Sequence, residues 1–474
     1  MTTKQIGRSS CTSILIGKNA TADGSVIIGR NEDSRTAWPK HLQFNTRTTQ
    51  KNAIFKSKDN KFQMALPEVA FQYSATPEWT DRYGVFAEDG INEYHVAVSA
   101  TESAYGNAQV LAYDPFELET GILEEAIVTV VLPYVKTARE GVQLLGQIIN
   151  EHGSAEGNGI LFGDQKEAWY FEVASGHQWV AQRIPDDSYA VVANQIAIET
   201  VDFTDPDHFL TSPNLREFVA ENRLWPENQT FNFRRIFGTA DDSDLVYNTP
   251  RVWSGQRLLT PSVQQDPEDF NLPFTQMPDF PITIKDAARV LSDHYQNTPY
   301  DLVAHPDAVK RYRPISVATT QESHLLQLRN VEATNLVGLH WLAMGVSAQS
   351  VYVPFYSAGS KVPPMYTRGK ETYTTNSAYW VFKQASVLLD RNWNRYARQL
   401  TNTQTKVNQI LAQQIVSTDQ LIHTTTAAEQ LTVLDEANQK AAATAIKAYQ
   451  KLIEDLITDQ TLRSPLNFKV DPNL

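Results

Sequence analysis

The 474-residue chain has a single cysteine, Cys11, at the head of the stretch SSCTSILIGKNATADGSVIIGRNEDS. An apolar run over residues 12–17 follows it, then a link rich in Asn, Asp and Gly, then a second apolar run over 25–29. Two runs of strand length joined by such a link predict a hairpin. The second run ends in Arg30, Asn31, Glu32 and Asp33. The hairpin therefore sets a thiol at the head of one strand across from an arginine and an aspartate at the end of the next. Such a cation favours thiolate, and such a carboxylate orients a base or binds a substrate amine. The plainer alternative is a cysteine acting as a small buried hydrophobe beside a structural ion pair. The place of Cys11, just behind a polar N-terminal segment with no packing role, favours chemistry.

Patterning elsewhere predicts a mixed, α+β chain. Strands are expected over 95–99, delivering Thr101, Glu102 and Ser103 at the end, and helices over 121–131 and 137–150 around Pro133. Four apolar runs over 160–163, 168–174, 178–184 and 189–194, divided by short turns, predict an antiparallel meander ending at Asn194. Residues 201–280, rich in Pro, Asp and Asn, are expected to form a largely irregular insertion with short helices. A helix is expected over 283–294, then strands over 315–319, 323–328, 339–344 and 351–356. His324 falls mid-strand and reads as a satisfied sheet residue, not a general base. After Gly359 the pattern turns helical. Tyr379, Phe382, Ser386, Leu389, Trp393, Tyr396 and Leu400 mark one face of a long helix, and a second stretch runs from Ala427 to Leu456. These helices cover a sheet or build a homo-oligomer interface. Together the elements suggest two sheets covered by helices on both outer faces.

Several classes are disfavoured. A formal net charge of −13 argues against a nucleic-acid partner. One cysteine excludes an internal disulfide and any multi-cysteine metal site, and no His-Glu-x-x-His motif is present. No cofactor is expected. No apolar run reaches membrane-spanning length and the first ten residues do not look like a signal peptide, so cytoplasm is the expected compartment.

The motifs around Cys11, with Arg30-Asn-x-Asp33, Gly-Ile-Asn-Glu-Tyr94 and the strand end at Asn194, resemble the N-terminal-nucleophile hydrolases. Within them the chain is similar to the thiol dipeptidases of lactic acid bacteria, related to the bile-salt and penicillin V amidases. The resemblance implies a four-layer αββα sandwich over 11–358, a helical extension over 359–474, and a leader, 1–10, removed by self-cleavage. It implies catalytic roles for Cys11 as nucleophile, its freed α-amine as base, Arg30 and Asp33 beside it, and Asn194 as oxyanion donor. A second arginine later in the chain is also implied; Arg251 and Arg257 both qualify and the sequence does not choose. The expected substrate is a dipeptide of broad side-chain type. The alternatives are an acylase or amidase of the same fold acting on N-acyl amides and, further off, a noncatalytic scaffold.

Overall fold

The computed structural model describes residues 11–309 and 311–467; the expected leader lies outside the described residues. The hairpin forms as two central strands, β1 (Thr12–Ile16) and β2 (Val26–Asp33), paired antiparallel with Ser13 opposite Arg30. Side chains alternate between the two faces of a strand. Leu15, Val26 and Ile28 therefore enter one core, while Ile14, Ile16 and Ile27 enter another.

The hairpin sits inside a seven-stranded antiparallel sheet. Tyr189–Val192 and Thr275–Gln276 extend it beyond β1; Thr320–Leu328, Gly338–Met344 and Val353–Tyr356 extend it beyond β2. A second, six-stranded antiparallel sheet contains Asp89–Ile91, Ala97–Thr101, Asn158–Gly163, Ala168–Val173, Trp179–Ile184 and Phe209–Thr211. Leu15, Ile28 and Leu326 of the first sheet pack against Leu161, Tyr170 and Val180 of the second. Helices Glu124–Val131 and Ala138–His152 cover the outside of the second sheet through Val142, Leu145 and Ile149. Thr137 caps the longer one by accepting the Glu140 N–H. Thr249–Leu259 and Ile284–Leu291 cover the outside of the first. These are the four layers of an αββα sandwich.

Three local expectations change. The fourth run of the meander leaves its sheet: Tyr189–Val192 pairs with β1 in the other one, Ser13 opposite Val192. This crossover carries Asn194 to the Cys11 end of β1. Residues 315–319 form no strand, because the Ser316 N–H is bonded to the Asp293 carbonyl instead of a ladder. The long C-terminal helix breaks at Asn392, whose φ of −146° and ψ of 51° are not helical, giving Ala378–Asp390 and Trp393–Thr424. With Ala427–Leu462 these helices pack Tyr379, Phe382, Ala445 and Tyr449 on Leu342, Val353 and Phe355 at the edge of the first sheet. Residues 201–280 supply a short strand to each sheet and the helix that carries Arg251. No helix of the described residues is long and apolar enough to cross a membrane.

Candidate active site

Cys11 is buried at the head of β1. Strand alternation puts Arg30 and Glu32 on the face of β2 that looks between the sheets, together with Val26 and Ile28. Arg30 Nη1 donates to Cys11 Sγ at 3.3 Å, and the thiol lies 3.5 Å from Glu32 Oε2. Arg30 also pairs with Glu32, and its Nη2 meets Glu88 Oε2 at 2.9 Å. Lys40 Nζ holds the other oxygen of Glu88 at 2.5 Å. Glu88 keeps a φ of 56°, a left-handed conformation that costs a non-glycine residue free energy and tends to occur at functional sites.

The carboxylates of Glu32, Glu88 and Glu124 converge, with oxygens within 4.8 Å of one another. Burial, then Glu32, pushes Glu88 up to about 8. Removal from water, then Glu88 and Glu32, drives Glu124 well above the usual carboxylate range. Burial opposes ionisation of Glu32, yet Arg30 and Lys40 hold it below that range. The spacing is one a divalent cation tolerates, as is that of Asp89, Glu322 and His324. In both groups protein cations already occupy carboxylate oxygens: Arg30 and Lys40 in the first, His324 in the second.

The thiol itself departs from expectation. Burial and then Glu32 push Cys11 far above its ordinary range, and Arg30 only partly offsets them. With Cys11 in this setting the sulfur is a neutral thiol, so attack needs a base at the moment of reaction.

Asp33 has the opposite parity from Arg30 and Glu32. Its carboxylate accepts from Arg313 Nη2 at 2.6 Å and Thr320 Oγ1 at 2.5 Å. Burial pushes its pKa up even with Arg313 drawing the other way. Asn194 is fully buried. Its Oδ1 accepts from Arg251 Nη2 at 2.7 Å, while its Nδ2 finds no acceptor among the described residues. Arg251 settles the choice between the two later arginines. Its Nη1 donates to the Cys11 carbonyl oxygen at 2.8 Å and to Thr12 Oγ1 at 2.9 Å. Burial, then Arg313, lowers Arg251 to about 9, which leaves it cationic at neutral pH. Arg257 instead pairs with Asp293 at 3.5 Å.

The structure thus gathers Cys11, Arg30 and Asn194 around one strand end, with Asp33 on the other face of β2. Glu32 and Glu88 carry no role in the sequence reading, and Arg251 stands there only as one of two candidates beside Arg257. For Glu32 the signal was present: residues two apart in a strand share a face, so Arg30 points with Glu32, not Asp33.

A buried thiol at the head of a central strand, in a two-sheet sandwich with helices on both outer faces, defines a cysteine-type hydrolase on an N-terminal-nucleophile-like scaffold. The sequence profile of peptidase family C69 matches residues 10–406, and the chain belongs to that family. A probable dipeptidase of Latilactobacillus sakei is 40% identical over the whole length of both chains. Probable dipeptidase B of Lactococcus lactis subsp. lactis (strain IL1403) is 36% identical, covering 97% of this chain and 98% of that one. A dipeptidase of Bifidobacterium longum (strain NCC 2705) is 34% identical, covering 97% and 92%.

Proposed function

We propose that the protein hydrolyses dipeptides with a free amino terminus, through an acyl-thioester on Cys11. The observation that carries this reading is the carboxylate of Glu32, 3.5 Å from the thiol, in a group with Glu88 and Glu124. In an unblocked dipeptide the ammonium nitrogen lies about 2.5 Å from the carbonyl carbon that is attacked, by bond lengths alone. That carbon must come within about 3–3.5 Å of the sulfur. The ammonium group is thereby brought into the range of the ionised Glu32 carboxylate and of the Glu88 and Glu124 carboxyl groups, whose oxygens accept its N–H groups. An apolar acyl chain at the same place would strip water from them without replacing it. This favours a dipeptidase over an acylase on N-acyl amides.

The reaction runs in two halves. The Cys11 thiol adds to the peptide carbonyl while its proton passes to the α-amine of Cys11, freed by removal of residues 1–10. An α-amine titrates at about 7.7–8.0 and is a fitting base near neutral pH. The side-chain Nδ2 of Asn194 donates to the oxyanion, and Arg251 keeps that side chain turned by holding its Oδ1. The C–N bond then breaks as the leaving amine takes the proton. Water, losing a proton to the same α-amine, adds to the thioester; thiol and free amino acid separate. Release of the leader precedes that base: the Cys11 thiol adds to the Ser10 carbonyl, its proton passes to the Cys11 nitrogen as the Ser10–Cys11 C–N bond breaks, and water then hydrolyses the resulting thioester, leaving the free α-amine. Arg30 and Asp33 keep the charge balance around the nucleophile. A single thiol with no disulfide suits the reducing cytoplasm, which cell fractionation tests.

The deciding experiment compares hydrolysis of unblocked dipeptides with their N-acetyl forms, on protein whose amino terminus has been sequenced. The reading expects a terminus at Cys11 and at least a hundredfold preference for the unblocked series. Equal rates on both series would favour the acylase.

A further inference from the structure

Arg30 touches the thiol, but two carboxylates compete for the same guanidinium. Something must aim it. Arg30 Nε donates to Ser99 Oγ at 3.0 Å, across the gap between the sheets. Ser99 Oγ in turn lies 2.9 Å from His324 Nε2. His324 is the cross-strand partner of Arg30 in the first sheet, so both side chains enter the same space from adjacent strands. The other imidazole nitrogen, Nδ1, lies 3.0 Å from Glu322 Oε1 and 3.0 Å from Asp89 Oδ2. Asp89 is anchored through its second oxygen, 3.1 Å from His340 Nε2 and within reach of the Thr76 hydroxyl at 3.2 Å. Asp89, Ser99, Glu322, His324 and His340 are all fully buried.

This is a continuous run of polar contacts, from Asp89 and Glu322 through His324 and Ser99 to Arg30 and the sulfur. Burial alone would lower His324, but Asp89 and Glu322 carry it up to about 9, so it is an imidazolium at neutral pH. Both ring nitrogens then donate. The Ser99 oxygen accepts from His324 and Arg30 with its two lone pairs, and so cannot turn away from either. A hydroxyl held this way fixes the Nε edge of Arg30. With that edge fixed, the planar guanidinium has one orientation left for Nη1.

We propose that His324, acting through Ser99, is a positioning residue that holds Arg30 against the Cys11 sulfur. It contacts neither the thiol nor the substrate. The inference rests on the reading of Cys11 as nucleophile and adds a residue that packing alone would class as sheet interior.

The test uses the full-length purified enzyme with Ser99→Ala, Ser99→Thr, His324→Asn and the double variant Ser99→Ala/His324→Asn. Steady-state kinetics on an unblocked dipeptide are paired with the pH profile of Cys11 alkylation by iodoacetamide. Ser99→Ala is expected to lower kcat at least tenfold with KM within about threefold, and to move the alkylation profile to higher pH. Ser99→Thr, which keeps the hydroxyl, is expected to restore both. The double variant is expected to lose no more than the worse single one, because the two residues act in one chain. Should His324→Asn not fold, the Ser99 pair decides alone. Wild-type kcat and alkylation in folded Ser99→Ala would overturn the proposal, as would an equal loss in Ser99→Thr or independent losses in the double variant. A failure of the nucleophile reading looks different: Cys11→Ala would then turn over substrate, whatever Ser99 does.

Discussion

Arg251 and Cys11 are 240 positions apart, yet the guanidinium of one donates to the carbonyl oxygen of the other at 2.8 Å. The same side chain holds Asn194 Oδ1 and Asn248 Oδ1 and donates from Nε to the Tyr247 carbonyl. One planar fork therefore fixes the backbone of the nucleophile and the amide of the oxyanion donor together. A lysine has no such fork. Arg251→Lys should lower kcat by at least tenfold while the protein stays folded, and steady-state kinetics with circular dichroism check this.

Asn194 presents a buried amide nitrogen that has no partner among the described residues, and such a group in a native fold calls for an explanation. Its partner in turnover is the developing oxyanion. Removing one donor of that kind costs about 10²–10³ in kcat. Asn194→Ala should show a loss of that size with KM changed little. A change confined to KM would instead make Asn194 a ground-state contact.

Glu32 both raises the thiol pKa and faces the expected ammonium group. The two roles separate in Glu32→Gln. Removing the negative charge should move Cys11 alkylation to lower pH, since the thiolate no longer forms beside an anion. The same variant should raise KM for unblocked dipeptides and narrow the preference over their N-acetyl forms.

The buried imidazolium also has a consequence for stability. His324 holds its proton to about 9 in the fold, against an ordinary 6.5 in the unfolded chain. A folded pKa raised above the unfolded one contributes stability that is complete below about pH 6.5 and is lost as pH rises through about 9. The size is on the order of 3 kcal/mol. Asp89 and Glu322 supply the favourable charge, while Arg30 and His340 also face this space. Glu88, raised from 4.5 to about 8, also loses stability as pH rises to about 8, over the lower part of the same window, so the wild-type slope mixes both. Urea unfolding of wild type and His324→Gln at pH 6 and pH 9 separates them. The variant should lose less stability across that interval.

How much of this was legible beforehand differs from residue to residue. Cys11 and Arg30 could be brought together because a short hairpin joins them, and local pairing follows from alternation and turn chemistry. The αββα layering came with the family resemblance and the positions of helices between strand runs. Asn194 was found as a strand end, but its strand was assigned to the wrong sheet. Consecutive strands usually pair, and nothing in the turn after Ile184 announces that the chain crosses to β1. Arg251 was ambiguous because its helix lies in a polar segment whose docking depends on contacts far along the chain. His324 was rightly placed in a sheet interior. Its link to Arg30 was hidden because it runs through Ser99, on the opposite sheet. Three-body contacts of that kind leave no periodic trace.

The central claim is that the Cys11 sulfur forms the acyl-enzyme. It is tested most directly by acid-quenching the enzyme during turnover of an unblocked dipeptide and mapping the covalent adduct by mass spectrometry, with Cys11→Ala assayed in parallel. The expected result is the N-terminal amino-acyl group of the substrate on Cys11 and no measurable turnover by the variant. Hydrolysis by Cys11→Ala at a rate within tenfold of wild type would contradict it.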